Sequence, residues 1–381
     1  MNATAFLFTA VVGIAVLTPA NGLHAAAGDG RQPVPQAQGR PADDIEILPV
    51  HGSIYMLAGA GANIAVSAGK DGVLIVDSGT APMSDKVLAA IQRLQRQLEW
   101  KEPPVDRHWG AETRGTLQSS LNPIAPPKPI RYIVNTSADA DHTGGNEKLA
   151  KAGKTFTGGN VAGDISDAGQ GASILAYENV LAAMSKQTNG KPASPENSWP
   201  TDTFFGPQMK LSHFFNGDGI QIIHISSAHT DGDTIVHFRN SDVIATGDLF
   251  VTTTYPVIDV ERGGTINGVI DGLNRILDLV IPEFRMEGGT MIVPGHGRLC
   301  DGGDLAYYRD MVTIIRDRIE AMVKKGMTLE QVKAAKPSAD YDPRWGATSG
   351  AWTTDKFIEA AYKTLQPKTP AAKATTTKKK S

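Results

Sequence analysis

Asp139, Asp141 and His142, side chains of the kinds that hold cations, follow closely on the apolar run Tyr132-Ile133-Val134. A strand that ends and presents carboxylates and an imidazole from its exit loop can build a metal site. Residues two apart in an extended segment face the same side. That spacing predicts Ser137, Asp139 and Asp141 in one cavity, with His142 serving a second position. Gly144-Gly145 allow a tight turn before a helix that Asn146 would cap. An acidic surface loop is the plain alternative for this stretch taken alone.

Three later stretches repeat the theme. They are Ala228-His229-Thr230-Asp231-Gly232-Asp233, Thr246-Gly247-Asp248 and Pro294-Gly295-His296-Gly297. Each follows, or lies inside, a strand-like apolar run and presents a His or Asp at a glycine-flanked turn. With Val73-Leu74-Ile75-Val76-Asp77 upstream, the five stretches in this order resemble the metallo-β-lactamase superfamily, over about residues 45–300.

The resemblance implies a four-layer αββα sandwich, an α/β fold, and two adjacent metal positions. The family's first motif is usually His-x-His-x-Asp-His. Here Ser137 and Asp139 stand where its first two histidines would be, whereas Asp141 and His142 match. His229 matches the third ligand of site one, Asp248 the bridging carboxylate and His296 the last ligand of site two. Site two (Asp141, His142, His296, with Asp248) is thus complete. Site one retains Asp139, His229 and Asp248, with Ser137 a weak ligand. Zinc favours imidazole, so zinc is the expectation at site two. The oxygen-rich site one suits manganese or iron, giving one or two divalent ions in all. The implied function is metal-dependent hydrolysis of a small ester, lactone, thioester, amide or phosphodiester by metal-bound water or hydroxide. Asp139 and Asp141 are the candidates to hold that water and shuttle its proton. Asp77 resembles an aspartate that supports a ligand from behind. Tyr255 and Arg262, in the segment after Asp248, are candidate substrate contacts, Arg262 as a bidentate carboxylate donor, with a plain surface ion pair as the equal alternative for Arg262. Asp231 and Asp233 would orient the His229 loop. The competing readings are a ligand-binding protein with a degenerate site one, and a single-iron oxygenase of the sulfur dioxygenase kind. The missing imidazoles of site one argue against the oxygenase.

The elements that must position these residues read as two sets of short strands with outer helices. The first set is Ile45–Val50, Ser53–Leu57, Asn63–Ser67 and Val73–Val76, followed by a helix that Ser84 would cap. The second is Met209–Phe215, Ile220–Ile225, Ile235–His237, Val243–Ala245 and Met291–Val293. Helices are expected at Ile174–Met184 and Ile266–Val280, and a strand at Thr155–Phe156. Residues 99–129, proline-rich with Trp100 and Trp109, read as an insertion. The domain reading is a signal peptide at 1–27, a flexible leader at 28–44 and a metallo-β-lactamase-like domain at 45–303. A helical extension at 304–366, with a capping box at Thr328 and Gln331, and a disordered lysine-rich tail at 367–381 complete it. The apolar start closed by Ala25-Ala26-Ala27 predicts export to a periplasm or the outside, with no stable membrane insertion after cleavage. Cys300 is the only cysteine, so no internal disulfide can form. A formal net charge of −3 provides no electrostatic case for nucleic acid, and the expected partner is a small-molecule substrate.

Overall fold

The computed structural model describes residues 45–98, 127–155, 171–188, 190–211, 214–281 and 289–367. The predicted signal peptide, the leader, nearly all of the 99–129 insertion and nearly all of the tail lie outside these residues, as do His108 and His213.

Two sheets face each other. The first runs, in both spatial and chain order, β1 (Glu46–Pro49), β2 (Ile54–Ala60), β3 (Ala62–Gly69), β4 (Gly72–Val76), β5 (Ile130–Val134), β6 (Ser173–Tyr177) and β7 (Asp202–Phe204). Its first four strands are antiparallel hairpin neighbours, and from β4 onward the pairing is parallel. The second sheet is β8 (Gln208–Lys210), β9 (Ile220–His224), β10 (Thr234–Phe238), β11 (Val243–Ala245), β12 (Met291–Val293) and β13 (Cys300–Asp301). Only β11 and β12 pair in parallel there.

The layers follow from alternation along the strands. On β4, Leu74 and Val76 face inward onto Ile222, Val236 and Ala245 of the second sheet. Val73 and Ile75 face outward onto Val87, Ile91 and Leu94 of the helix Ser84–Leu98. Because β4 is buried on both faces, it reads as continuous apolar sequence. The outer face of the second sheet is covered by the helices Ile266–Leu277, Gly302–Lys324 and Thr354–Leu365, which share one core with it through Leu273, Ile315 and Phe357. The fold is therefore the expected αββα sandwich. Its C-terminal helices join the fourth layer. Among the described residues no helix is long and apolar enough to cross a membrane.

Several local expectations are corrected by packing. Residues predicted as one helix from Ile174 begin as β6, because Ile174 and Leu175 pair with Ile133 and Val134. The helix follows at Glu178–Ser185. Such pairing outweighs local preference. Lys154 makes an isolated bridge to Gly171, and Phe156 of the strand expected at Thr155–Phe156 lies outside the described residues. Ser84 is the first residue of its helix, and its hydroxyl donates back to Ala81 O at 2.7 Å. The Thr328–Gln331 capping box forms as expected.

Candidate metal centre

Parallel neighbours with aligned ends deliver their exit loops to one edge. Val76 is in register with Val134, so Asp77 leaves β4 beside Asn135 and Thr136 leaving β5. Ala245 is in register with Val293, so Thr246 leaves β11 beside Pro294 leaving β12. The β9–β10 connection carries His229 to the same edge. Thr234 N donates to Thr136 O at 2.9 Å, tying that connection to the first sheet.

Two groups of donor atoms result, Asp141 with His142 and His296, and Asp139 with His229 and Asp248. Within each group the atoms lie within 4.8 Å of one another. Asp248 joins the groups, with its Oδ1 at 3.3 Å from His142 Nε2 and 3.4 Å from His296 Nε2. The cavity predicted from strand spacing is corrected: Asp141 sides with His142 and His296, apart from Asp139. Residues Ala140–Thr143 form a short helical turn, which replaces the two-residue alternation of an extended chain. Ser137 is buried, and its hydroxyl donates to Asp139 Oδ2 at 3.3 Å.

Each buried imidazole is oriented by a carboxylate behind it. Asp77 Oδ2 lies 2.7 Å from His142 Nδ1, and Asp77 also accepts from Thr136 N (2.8 Å) and Thr136 Oγ1 (2.7 Å). With Nδ1–H given to Asp77, Nε2 is left to face the centre. Asp233 Oδ1 approaches His229 Nδ1 at 3.3 Å while its carboxylate also accepts from Thr230 N and Oγ1. Asp231 contributes only backbone groups there, its N–H donating to Arg262 O.

The electrostatics show a site built for positive charge. Burial works against a charged His142, yet Asp77 and Asp248 raise its pKa well above the ordinary imidazole value. For His229 burial is again outweighed, chiefly by Asp233, and its pKa is pushed up to about 9. Burial opposes the ionisation of Asp248, but the neighbouring imidazoles, His142 foremost, hold it well below the usual carboxylate range. The hydrogen bond with His296 lowers Asp141 and raises His296.

Whether a metal ion fits can be judged on unpaired atoms. His142 Nε2 and Asp248 Oδ1 are buried and neither makes a hydrogen bond. A buried polar atom without a partner costs free energy unless something satisfies it. Two such atoms of metal-ligating type, 3.3 Å apart and flanked by His296 and Asp141, form a donor set a divalent ion would complete.

Other residues hold the centre in shape without showing themselves in the motifs. Asn63, in the apolar strand β3, donates through Nδ2 to Pro294 O and Gly297 O, both at 2.9 Å, and clamps the His296 loop. A lone amide within apolar sequence is the one signal that could have found it. Asn146 does not cap its helix. Instead it exchanges hydrogen bonds with Asn135 (2.8 and 3.1 Å) and donates to Ser198 O, fully buried, locking the ligand turn to the sheet. Gly145 is required by contact and not by its φ of −85°. A Cβ there would lie 2.3 Å from Ser78 O. We expect Gly145→Ala to destabilise the fold by about 1–3 kcal/mol, the range for overpacking, visible as a lower unfolding midpoint.

Of the two candidate substrate contacts, Tyr255 is corrected, and for Arg262 the ion-pair alternative is what the structure shows. Tyr255 is 1% exposed, stacked on Phe357 with ring centroids 4.7 Å apart, and its hydroxyl donates to Asp342 Oδ1 at 2.8 Å. It anchors the C-terminal helices. Arg262 does reach the centre, but as the partner of two aspartates: Nε to Asp259 Oδ2 and Nη2 to Asp139 Oδ1, each 2.6 Å. It is not a free cation awaiting a substrate carboxylate. His224, stacked on Tyr177, and His237 belong to neither donor group.

Residues 117–296 match the model of the metallo-β-lactamase superfamily. That match spans just under half of the chain, and the four-layer fold and the donor groups at its edge agree with it. Among solved structures, a stereoselective inverting sec-alkylsulfatase, Pisa1 from Pseudomonas sp., superposes with a TM-score of 0.51 at 16% identity. The alignment covers 84% of this chain and 50% of that one, so the chain spans about half the length of that relative. A metallo-β-lactamase from Pontibacter korlensis aligns at a TM-score of 0.42 and 14% identity, over 71% of this chain and 99% of that one. No curated protein matches the sequence.

Proposed function

We propose that the chain is a metal-dependent hydrolase of small molecules bearing an ester, lactone, thioester, amide or phosphodiester group. The observation that carries this reading is the convergence of His142 Nε2 and Asp248 Oδ1, both buried without a hydrogen bond, beside His296 and Asp141. Asp141, His142, His296 and Asp248 would hold the principal ion, and two imidazoles with carboxylates favour zinc. One or two ions are expected in all: the second donor group, Asp139 and His229 with Asp248, is oxygen-richer, and an ion taken up there would be of the manganese or iron kind. When bound, such an ion supplies a Lewis-acidic centre that makes water a nucleophile near neutral pH and stabilises developing negative charge. Asp141 and Asp139 are the partly exposed carboxylates of the two groups. They would hold the attacking water and accept its proton, while Asp77 and Asp233 keep the imidazoles aimed. Export through residues 1–27 is part of the same reading and places the reaction outside the cytoplasm.

The test is elemental analysis of protein prepared without chelators, together with turnover on ester, lactone, thioester, amide, phosphodiester and sulfate ester panels. At least about one equivalent of transition metal is expected, with turnover lost on chelation and in His142→Ala. Less than about half an equivalent, with no turnover on any panel, would replace the hydrolase by a ligand-binding protein.

A further inference from the structure

The second donor group differs from the first in a way its ligand types alone do not reveal. Asp139 Oδ2 lies 3.3 Å from His229 Nε2, but its other oxygen, Oδ1, accepts from Arg262 Nη2 at 2.6 Å. A guanidinium therefore neutralises the carboxylate that stands where the family motif has an imidazole. Arg262 is not a passing surface residue. Its Nε and its own backbone N–H both donate to Asp259, at 2.6 and 2.9 Å. Its carbonyl accepts from Asp231 N, and Asp259 N donates to His229 O, both at 2.9 Å. The loop is pressed so closely onto the His229 turn that a Cβ on Gly264 would lie 2.2 Å from His229 O. The guanidinium is thus fixed from both sides, with only about a third of its side chain exposed.

We propose that Arg262 is the resident cation of the Asp139–His229–Asp248 group. It stands in for a second metal ion, so that the protein binds one divalent ion tightly, at Asp141, His142 and His296. This rests on the hydrolase reading above. A divalent ion entering the second group would compete with Arg262 for Asp139 and would lie beside a fixed positive charge at low dielectric. The first group carries no such competitor: among the described residues no arginine or lysine pairs with Asp141 or Asp248. The loss of imidazoles at Ser137 and Asp139 and the arrival of Arg262 are then two halves of one change, an ion exchanged for a cation that cannot be removed by chelation.

The test is calorimetric titration of the metal-free full chain with Zn²⁺ alone, alongside Arg262→Gln and Arg262→Lys. Wild type is expected to bind one ion tightly and a second at least roughly a hundredfold more weakly. Arg262→Gln should tighten the second ion by roughly ten- to a hundredfold, the scale of removing one nearby unit charge, and leave the first unchanged. Arg262→Lys keeps the charge but not the fork that spans Asp259 and Asp139, and should leave the second ion weaker than in Arg262→Gln. Arg262→Met, which keeps the apolar stem, replaces the glutamine variant should that one fail to fold. Two ions bound by wild type with comparable affinity, or a second ion unmoved by the neutral variants, would overturn the assignment while sparing the hydrolase reading. A wild type that binds no ion would overturn both.

Discussion

Asp248→Asn is expected to abolish tight metal binding while leaving a folded chain. Asp248 belongs to the Asp139–His229 group, and its Oδ1 also faces His142 Nε2 and His296 Nε2 of the other group at 3.3 and 3.4 Å. An amide of the same shape fills the space next to Gly295, where even a Cβ would lie 2.2 Å from that oxygen, but brings no charge. Removing one member of a buried charge pair costs about 3–5 kcal/mol. At about 1.4 kcal/mol per decade, that is roughly a hundred- to several-thousandfold in metal affinity. Calorimetry or elemental analysis after dialysis reads the affinity directly, and far-ultraviolet circular dichroism checks the fold. Retention of wild-type affinity in a folded Asp248→Asn protein would remove Asp248 from the ligand set.

Asp77 acts one step further back. Its carboxylate accepts from Thr136 N and Oγ1 and from His142 Nδ1, so it fixes both the backbone at the exit of β5 and the tautomer of the imidazole. It does so with a φ of 66°, a left-handed conformation that asparagine tolerates about as well as aspartate and most residues do not. Asp77→Asn therefore isolates the electrostatic role from the backbone one. Support of this kind is commonly worth 10–100-fold in metal affinity, and a loss of that size is expected. Asp77→Ala should add a backbone cost of about 1 kcal/mol or more on top, seen as a lower unfolding midpoint than that of the asparagine variant. If both variants bind zinc as wild type does, His142 takes its orientation from elsewhere.

The motifs were legible for a physical reason. A buried strand needs consecutive apolar residues, and a candidate ligand needs a His or Asp at its exit, so Val243–Ala245 with Asp248 or Met291–Val293 with His296 display both facts within a few residues. The amphipathic helix Gly302–Lys324 and the Thr328 capping box were readable on the same local grounds. Tyr255 was misread because position after Asp248 says nothing about direction. The side chain turns away from the centre and into the core shared with Phe357, where burial raises its pKa above the ordinary phenol value. Asn146 was misread because an amide before a helix looks like a cap, whereas here a second buried amide, Asn135, claims it.

By itself the sequence determined the ligand types, their order and the strand–turn rhythm that carries them, since these depend on neighbours a few residues apart. Strand spacing alone misplaced Asp141 beside Asp139, and the tertiary structure groups it with His142 and His296, as the family resemblance implied. A short helical turn at Ala140–Thr143 moves Asp141 away from Asp139, and matched strand ends bring Asp77, Thr136, Thr246 and Pro294 to one edge. It also decided that Arg262 meets Asp139 across 123 residues of chain. Contacts at that separation are set by sheet register and loop packing, and no pattern local to either residue encodes them.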